Sequence, residues 1–424
     1  MKIAIDVDDT LNVVDRVSRA SAYIERRGLP FKLKDENAAA FVETFDWGKD
    51  DVTKFMHDGG ITVFTDAPAR QGAREALAAL QADGHEIVIL TARQKDWFGN
   101  PEKLSRDWLE KRRIPYDEIV ADISFRDKAR YCAEHGISVI VENNVDVCIE
   151  AEERGIRAVL AIGKFNSNRA REIAYAGASW RQILAELRFI ANMDYVEELS
   201  TRACPARKTE DYDGWELRFD EWSARRGNCI RLSAPSTLPL NEKIELTEER
   251  YHAENKPCRF RLTAADRRLD TELKNRGYAI ETSVVGFELD RIQSAGTGDD
   301  LNVSHMATEE WYRALSCLAA GPQRSYALIR GETVYVIACD GEKPVGMGMG
   351  VIEGGYVGLF DLRVHRDYRR KGIAKKICAR ILAEGKNMGA TKAHIQAEKS
   401  NYAASELFIG IGFKKIYEYW YRTK

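Results

Sequence analysis

The chain begins with MKIAIDVDDTLN (residues 1–12), an apolar run that leads into three aspartates, Asp6, Asp8 and Asp9. The apolar part is typical of a strand that is buried on both faces of a parallel sheet, because nearly every residue is hydrophobic rather than every second one. Carboxylates at the end of such a strand can act as a nucleophile, as metal ligands or as solvated turn residues. The stretch alone leaves these three roles open.

Four more short apolar runs follow within the first 165 or so residues: EIVILTA (86–92), EIVADI (118–123), SVIVEN (138–143) and RAVLAI (157–162). They alternate with helical patterns, which predicts a doubly wound, Rossmann-like α/β domain over residues 1–195. The first two runs are separated by far more than the dozen or so residues that a simple crossover helix needs. We therefore expect a helical cap to be inserted at about residues 12–80.

Polar residues after the later strands favour phosphoryl transfer. Thr91 can hydrogen-bond a phosphate oxygen, and Lys128 can neutralise a phosphate and hold a carboxylate nucleophile. Glu142, Asn143 and Asp146 offer oxygens to a hard cation such as Mg²⁺. Together with the opening aspartates, these residues predict a phosphate-handling site at the carboxyl edge of the sheet.

In this order the motifs resemble those of the haloacid dehalogenase (HAD) superfamily of phosphatases, over residues 1 to about 165. The stretches EKLSRDWLEKRRIPYDEIV (102–120) and DKARYCAEHGISVIVENNVD (127–146) are most similar to its 5'(3')-deoxyribonucleotidase-like branch. The resemblance implies a nucleophile at Asp6, a general acid and base at Asp8, and phosphoryl-group ligands at Thr91 and Lys128. It implies a Mg²⁺ cofactor held by Asp6, Asp8, Glu142, Asn143 and Asp146. Asn143 stands where the family usually has an aspartate, which implies weaker metal binding.

Aromatic residues in the expected cap have two interpretations. Phe45, Trp47 and Phe55 could stack on a nucleobase, or they could form the apolar core of the cap. The identity of the phosphate-bearing substrate therefore depends on the resemblance alone.

The second half of the chain has a different organisation. The polar stretch STRACPARKTEDYDG has little hydrophobic periodicity, so we expect a linker at residues 196–211. Strand and helix patterns beyond it predict two α/β lobes, at residues 212–295 and 296–424. The two lobes share a weak sequence repeat: Leu273 stands four residues before Gly277, and Phe408 stands four residues before Gly412. This repeat is consistent with related lobes or with chance.

The stretch LFDLRVHRDYRRKGIAKKI (359–377) places a basic, glycine-containing turn between a strand and a helix. Small residues expose backbone N–H groups at a helix N-terminus, which makes a cradle for an anion such as pyrophosphate. A solvated helix start is the other interpretation.

With IQAEKSNYAASELFIGIGF (395–413), this turn resembles the GNAT acetyltransferase superfamily over about residues 300–424, and residues 212–290 resemble the degenerate N-terminal lobe of some of its members. The resemblance implies acetyl-CoA as cofactor, with the pantetheine arm near Asn401 and the backbone of Leu362 and Val364. Its pyrophosphate would lie on Arg369, Arg370, Lys371, Gly372, Ile373 and Ala374. Asp361 and Glu398 are candidate bases or ordinary strand-end carboxylates. Phe408 stands where the family often has a tyrosine acid, a role that Tyr402 could take.

Composition limits the remaining classes. The formal net charge of −2 argues against general nucleic-acid binding, and eight scattered cysteines without a CxxC pair are typical of reduced thiols in a cytoplasm. No apolar run approaches the roughly 20 residues that span a bilayer. The sequence thus predicts a cytoplasmic bifunctional enzyme: a Mg²⁺-dependent phosphomonoester hydrolase joined to an acetyl-CoA-dependent N-acetyltransferase of a small amine, such as a nucleotide-type molecule or an antibiotic. The alternative is an acetyltransferase regulated by an inactive, nucleotide-sensing HAD domain.

Overall fold

The computed structural model describes residues 1–38, 40–221, 225–293, 300–318 and 326–424. These residues form two compact units, each with its own sheet. The first comprises Met1–Ala191, Ser233–Lys243 and Ala265–Leu269. The second comprises Asn192–Leu232, Ile244–Ala264 and Asp270–Lys424.

The described residues of the first unit form a six-stranded, all-parallel sheet, as the apolar runs predicted. Its strands are β1 (Lys2–Ile5), β2 (Glu86–Leu90), β3 (Glu118–Val120), β4 (Val139–Glu142), β5 (Arg157–Ala161) and β6 (Tyr175–Gly177). Their order in the sheet is β3-β2-β1-β4-β5-β6, so β1 is central. The sequence analysis missed β6, because three residues are too few to give a hydrophobic pattern.

Helices surround this sheet and fill the long connection between β1 and β2. They are α1 (Arg16–Arg27), α2 (Phe41–Thr44), α3 (Lys49–Phe55), α4 (Thr62–Thr65), α5 (Ala73–Ala82), α6 (Lys95–Phe98), α7 (Pro101–Lys111), α8 (Lys128–Glu134), α9 (Val145–Glu153) and α10 (Trp180–Arg202). A π-type turn at Met56–Gly60 and a 3₁₀ turn at Ser167–Glu172 complete the set.

The inserted helices have an aromatic core of their own. Phe45, Trp47 and Phe55 are buried there and pack against one another with ring centroids about 5.2 Å apart. These rings therefore form the core of the insert, and the base-stacking interpretation is not supported. Most of helix α5 falls within the predicted cap range of 12–80, yet its buried face belongs to the core of the sheet.

The described residues of the second unit form one eleven-stranded sheet. Its strands are β7 (Lys208–Tyr212), β8 (Trp215–Phe219), β9 (Ile230–Leu232), β10 (Arg259–Thr263), β11 (Ala279–Leu289), β12 (Asn302–Ser304), β13 (Glu332–Asp340), β14 (Lys343–Glu353), β15 (Tyr356–Val364), β16 (Lys392–Glu398) and β17 (Lys414–Thr423). The remaining helices are α11 (Leu240–Ala253), α12 (Arg267–Asn275), α13 (Glu309–Leu318), α14 (Ile373–Asn387) and α15 (Tyr402–Ile411). Short 3₁₀ turns lie at Arg225–Gly227, Ala264–Asp266, Tyr326–Leu328 and Arg366–Tyr368.

The two predicted lobes share this sheet, whose order is β12-β13-β14-β15-β16-β11-β17-β10-β9-β8-β7. Strand β11, from the earlier lobe, lies between β16 and β17 of the later one. The predicted lobe boundary between residues 295 and 296 lies outside the described residues. The segment predicted as a linker, residues 196–211, contains the end of α10 and the start of β7 instead. Val196 and Leu199 are buried there, so the helical face continues into the polar stretch.

Alternating glycines let helix α14 pack closely on β14. A Cβ at Gly346 would lie 2.7 Å from Ile373 Cγ2, and one at Gly348 would lie 2.7 Å from Ile377 Cγ2. Gly350 is equally crowded, since its Cβ would meet two side chains within 2.7 Å. Any larger residue on this stripe would push the helix away from the sheet.

We expect the substitution Gly348→Ala to destabilise the second unit by about 1–3 kcal/mol, because the added methyl group overpacks the contact between α14 and β14. The matched control is Gly410→Ala in helix α15, where a Cβ would meet nothing within 4 Å. That change should stabilise the protein by about 0.5–1 kcal/mol, since alanine favours a helix interior. Urea denaturation of the full chain measures both, and equal stability of the two variants would contradict the packing argument.

Candidate functional sites

The first candidate site lies where three neighbouring strands of the first unit end. Asp6 follows β1 directly, Thr91 follows β2, and Glu142 is the last residue of β4. Because β1 pairs with both neighbours in parallel, and the N–H of Asp6 still donates to the carbonyl of Val141 at 3.0 Å, these side chains meet at one edge of the sheet.

Lys128, the first residue of α8, joins two of these carboxylates. Its Nζ lies 2.6 Å from Asp6 Oδ1 and 2.7 Å from Glu142 Oε2, and all three side chains are buried. Burial, followed by repulsion from Glu142, raises the pKa of Asp6 to about 7 against the opposing charge of Lys128. Burial alone would lower the pKa of Lys128, but the two carboxylates outweigh it and raise that pKa. Lys128 is therefore a permanent cation beside Asp6.

The hydroxyl of Thr91 is buried and has no hydrogen-bond partner within the described residues. Buried hydroxyl groups in folded proteins are nearly always paired. This unpartnered donor, at the end of the strand next to β1, can therefore bind an oxygen of a bound group; its role as a phosphoryl ligand stays a prediction.

Asp8 is held by a residue that the sequence analysis missed. Arg93 donates to its two carboxylate oxygens at 2.7 and 2.9 Å, and Asn12 Nδ2 donates at 2.8 Å. Burial would raise the pKa of Asp8, but the charge of Arg93 and these hydrogen bonds outweigh it and lower that pKa. As arranged, Asp8 is ionised and suits the role of a base better than that of an acid. The signal was available, since Arg93 stands two residues after Thr91.

Asp9, the third aspartate of the opening stretch, has a structural role. It pairs with Arg16 and accepts the N–H of Val14 at 3.1 Å, in a turn where its own φ is +63°. It therefore closes the connection that leaves β1.

The predicted metal ligands do not gather around a common point. Glu142 uses one oxygen for Lys128 and the other for the N–H groups of Asn143 and Asn144, at 2.9 and 3.0 Å. Asp146 is exposed and pairs with Arg169 at 2.9 Å. Among the described residues no group of three or more His, Cys, Asp or Glu side chains has a metal-binding placement. The set Asp6, Asp8, Glu142, Asn143 and Asp146 therefore does not fit Mg²⁺ as arranged, and the magnesium prediction is not supported.

The second candidate site lies where two parallel strands of the second unit separate. Strands β15 and β16 pair as far as Leu359 and Ile395. Within the described residues their ladder ends there, and a cavity of about 560 Å³ opens between them. Its lining is Cys204, Pro205, Asp220, Arg225, Arg226, Gly227, Val284, Leu359, Phe360, Asp361, Leu362, Arg363, Ile395, Gln396, Ala397, Glu398, Asn401, Ala404, Phe408, Tyr419 and Tyr421.

The basic turn that precedes α14 leaves its first N–H groups open. Gly372 adopts φ +81° as the residue before the helix, and no side chain caps the helix there. A Cβ at Gly372 would meet nothing within 4 Å, so this end of the helix faces open space. Arg370 and Lys371 are exposed and have no carboxylate partner within the described part of the chain. The turn therefore fits a pyrophosphate, although Ile373 packs toward β14 rather than outward.

Other predicted residues of this site have partners already. Asn401 caps α15 by accepting the N–H of Ala404 at 3.2 Å, which explains its presence without a ligand. Glu398 binds Arg225 at 2.7 Å, and Asp361 accepts the hydroxyl of Tyr326 at 3.1 Å. Contact of Asn401, Leu362 and Val364 with a pantetheine arm stays a prediction.

The two aromatic residues considered as proton donors have opposite environments. Phe408 is buried and lines the cavity, whereas Tyr402 is 75% exposed and lies outside its lining. The sequence analysis also missed Arg226, Tyr419 and Tyr421 as lining residues. The alternating tyrosines of YEYWYR (417–422) were the available signal for two of them, because alternate residues of a strand share a face.

Comparisons with known proteins bear on the second unit. Residues 301–413 match the model of the acetyltransferase (GNAT) family. The curated protein "Uncharacterized N-acetyltransferase YobR" of Bacillus subtilis (strain 168) is 26% identical over 243 residues, which cover 54% of this chain and 97% of that protein. A GCN5-related N-acetyltransferase from Kribbella flavida is 13% identical, with a TM-score of 0.43, over 56% of this chain and 95% of that one. A tandem GNAT protein from the clavulanic acid biosynthesis pathway is 12% identical, with a TM-score of 0.39, over 55% of this chain and 87% of that one.

The family match lies in the second unit, so the phosphatase predicted for the first unit stays a prediction that depends on its geometry. Among the described helices, none has the length and apolar character needed to cross a bilayer. The family model and the curated relative support the predicted acetyltransferase. Residues 301–413 thus match the acetyltransferase (GNAT) family, and N-acetyl transfer is the activity that both comparisons support.

Proposed function

We propose that the chain is a bifunctional enzyme, which transfers an acetyl group to a small amine in its second unit and hydrolyses a phosphomonoester in its first. The GNAT match and the open N-terminus of α14 support acetyl transfer. One observation supports the phosphatase: Lys128 contacts both Asp6 and Glu142 at the sheet edge where the Thr91 hydroxyl has no partner among the described residues.

In the proposed hydrolysis, a carboxylate oxygen of Asp6 attacks phosphorus while the bond to the leaving oxygen breaks. Lys128 and Thr91 hold the phosphoryl oxygens. The leaving oxygen takes a proton from solvent water, because Arg93 holds Asp8 ionised. Water then attacks phosphorus, the bond between phosphorus and Asp6 breaks to release inorganic phosphate, and Asp8 takes the proton of the attacking water. A covalent intermediate suits a reaction that needs accelerations of up to about 10²¹.

In the proposed acetyl transfer, acetyl-CoA supplies an activated thioester when it is bound. The N–H groups at the start of α14, with Arg370 and Lys371, would hold its pyrophosphate and so orient the acetyl group. The amine must lose a proton, because with a reference pKa of about 10.4 only about one molecule in a few thousand is neutral at pH 7. Asp361 and Glu398 line the cavity and are the candidate bases, although Arg225 neutralises Glu398.

The second candidate function is a sensor, in which the first unit binds a nucleotide without hydrolysing it and changes the acetylation rate. The hydrogen bonds from Arg93 and Asn12 to Asp8 favour the sensor, because they engage the carboxylate that would otherwise activate water. The amide at Asn143 also favours it.

We expect Asp6→Asn to reduce phosphate release from a panel of nucleoside monophosphates and other phosphomonoesters by at least about 10³-fold, because the nucleophile is lost. Asp107→Asn is the matched control, since that exposed aspartate only pairs with Lys103 on the surface of α7. Assays with and without Mg²⁺ test the metal separately. Equal release by wild type and Asp6→Asn would rule out the assignment. No release by wild type, with nucleotide binding that alters acetylation, would establish the sensor.

We expect Arg93→Gln to move the acidic limb of the phosphatase pH–rate profile to higher pH. Asp8 must be ionised to act as a base, and without Arg93 its burial raises its pKa. Activity at low pH should therefore fall first. Arg106→Gln, which removes a partly exposed arginine of α7 bonded to Glu102 and Tyr116, is the control. An unshifted limb would show that the ionisation of the nucleophile Asp6, whose pKa is about 7, sets the acidic limb rather than that of Asp8.

Lys375 is exposed in the first turn of α14, next to the basic turn that contains Lys371. We expect the double substitution Lys371→Gln with Lys375→Gln to raise the KM for acetyl-CoA about tenfold, because two cations at the proposed pyrophosphate site are lost. Acetyl-pantetheine, which lacks the pyrophosphate, should be used equally well by both proteins. Lys376→Gln is the control on the same helix, since Lys376 already pairs with Asp300 at 2.9 Å. If the double variant uses acetyl-pantetheine as poorly as it uses acetyl-CoA, the substituted lysines do not act through the pyrophosphate.

A further inference from the structure

Interior arginines of the second unit are paired with carboxylates. Burying a guanidinium is costly unless an opposite charge compensates it. The pairs are Arg218–Glu216, Arg231–Glu198, Arg261–Glu197 and Arg422–Asp270. This pattern makes an arginine without such a partner stand out.

Arg226 is that arginine. Within the described residues its side chain contacts a thiol and a ring: Nη1 lies 3.6 Å from Cys204 Sγ, and the guanidinium lies 5.9 Å from the centroid of Phe360. Neither group carries a negative charge, and the side chain is half-buried in the wall of the cavity between β15 and β16. Arg363, in the same wall, also has a buried Nε without a partner in the described part of the chain.

Glu197 is an acid close enough to interact with the charge of Arg226, but it is already occupied. Its carboxylate accepts Gln396 Nε2 at 2.9 Å and the hydroxyl of Tyr417, and it pairs with Arg261. It therefore does not neutralise Arg226 by direct contact.

Tyr421 supplies a second, independent observation. Its side chain is 2% exposed, it lines the same cavity, and its hydroxyl has no hydrogen-bond partner among the described residues. Arg226 and Tyr421 both line this cavity, so one ligand in it can reach both groups. A guanidinium and a phenol can both donate to an anion, and within the described residues Arg226 has no carboxylate partner and the Tyr421 hydroxyl has no hydrogen-bond partner.

We propose that the acetyl acceptor carries an anionic group, a carboxylate or a phosphate, which binds Arg226 and the hydroxyl of Tyr421. This inference rests on the proposed acetyl transfer. The amine of the same molecule lies toward Asp361 and Glu398, the acids on the strands that form the cavity. The acceptor is therefore a small molecule with both an amine and an anion, and a polycationic amine would leave Arg226 uncompensated.

The test compares three amines of similar size in the full-length protein: ethanolamine, which is neutral apart from its amine, β-alanine, which carries a carboxylate, and O-phosphoethanolamine, which carries a phosphate. Release of coenzyme A gives kcat/KM for each amine at constant ionic strength, and calorimetry gives the binding of each amine without catalysis. The variants are Arg226→Met, Arg226→Lys and Tyr421→Phe. Tyr421→Phe removes only an unpartnered hydroxyl, so it keeps the test valid if Arg226→Met fails to fold. Lys414→Gln, an exposed cation paired with Asp290, controls for net charge.

We expect wild type to prefer an anionic amine to ethanolamine by at least about tenfold, which is the effect of one charge-assisted hydrogen-bond pair. Arg226→Met should abolish the preference, Tyr421→Phe should reduce it, and Arg226→Lys should restore part of it. Whether the carboxylate or the phosphate is preferred identifies the anion. An unchanged ratio in Arg226→Met and Tyr421→Phe, even with a lower kcat for every amine, would overturn the proposal.

Failure of acetyl transfer is distinguishable from failure of this inference. If no amine releases coenzyme A, but calorimetry shows anion binding that Arg226→Met removes, the anion site stands and the proposed transfer fails. If the binding of both anionic amines is the same in wild type and Arg226→Met, the anion site itself is refuted. Any phosphate binding by the first unit contributes equally to wild type and Arg226→Met, because the substitution lies in the second unit.

Discussion

Both candidate sites are formed where neighbouring parallel strands stop pairing. In the first unit, the central strand β1 ends at the same edge as β2 and β4, so Asp6, Thr91 and Glu142 meet although they are far apart in the chain. In the second unit, β15 and β16 pair in parallel and then separate after Leu359 and Ile395. The separation opens a cavity without breaking the rest of the sheet.

Charge compensation is the second constraint, and it decides which groups remain available. Lys128 neutralises two buried carboxylates, and Arg93 neutralises Asp8. Each predicted carboxylate ligand at the sheet edge therefore contacts a cation of the chain, although Lys128 carries one charge for two acids. The second site differs, because among the described residues Arg226 donates only to a neutral thiol and the Tyr421 hydroxyl has no hydrogen-bond partner. A pair of donors in a cavity without an anionic partner indicates a bound ligand, whereas donors that already have partners in the protein do not.

The sequence predicted the parts of the fold that depend on local pattern. Continuous apolar runs identified five strands of the first sheet, and Asp6, Thr91, Lys128 and Glu142 could be assigned because each stands at the end of a run or the start of a helix. The pairing of Arg93 with Asp8 spans 85 residues and leaves no local periodicity. The insertion of β11 between β16 and β17 could not be predicted either, since no rule of spacing fixes which distant strands become neighbours.

If one chain carries out both acetyl transfer and phosphate hydrolysis, the two reactions must follow some order. If both units act on one molecule and the anion at Arg226 is its phosphate, acetyl transfer must come first, because hydrolysis in the first unit would remove the group that the second unit recognises. If the anion is a carboxylate, hydrolysis leaves recognition intact and either order is open. The chemistry of a single half-buried guanidinium would therefore set the sequence of two reactions. Incubation of one amine-bearing phosphomonoester before and after removal of its phosphate separates the two cases, because only a phosphate-dependent acceptor loses acetylation.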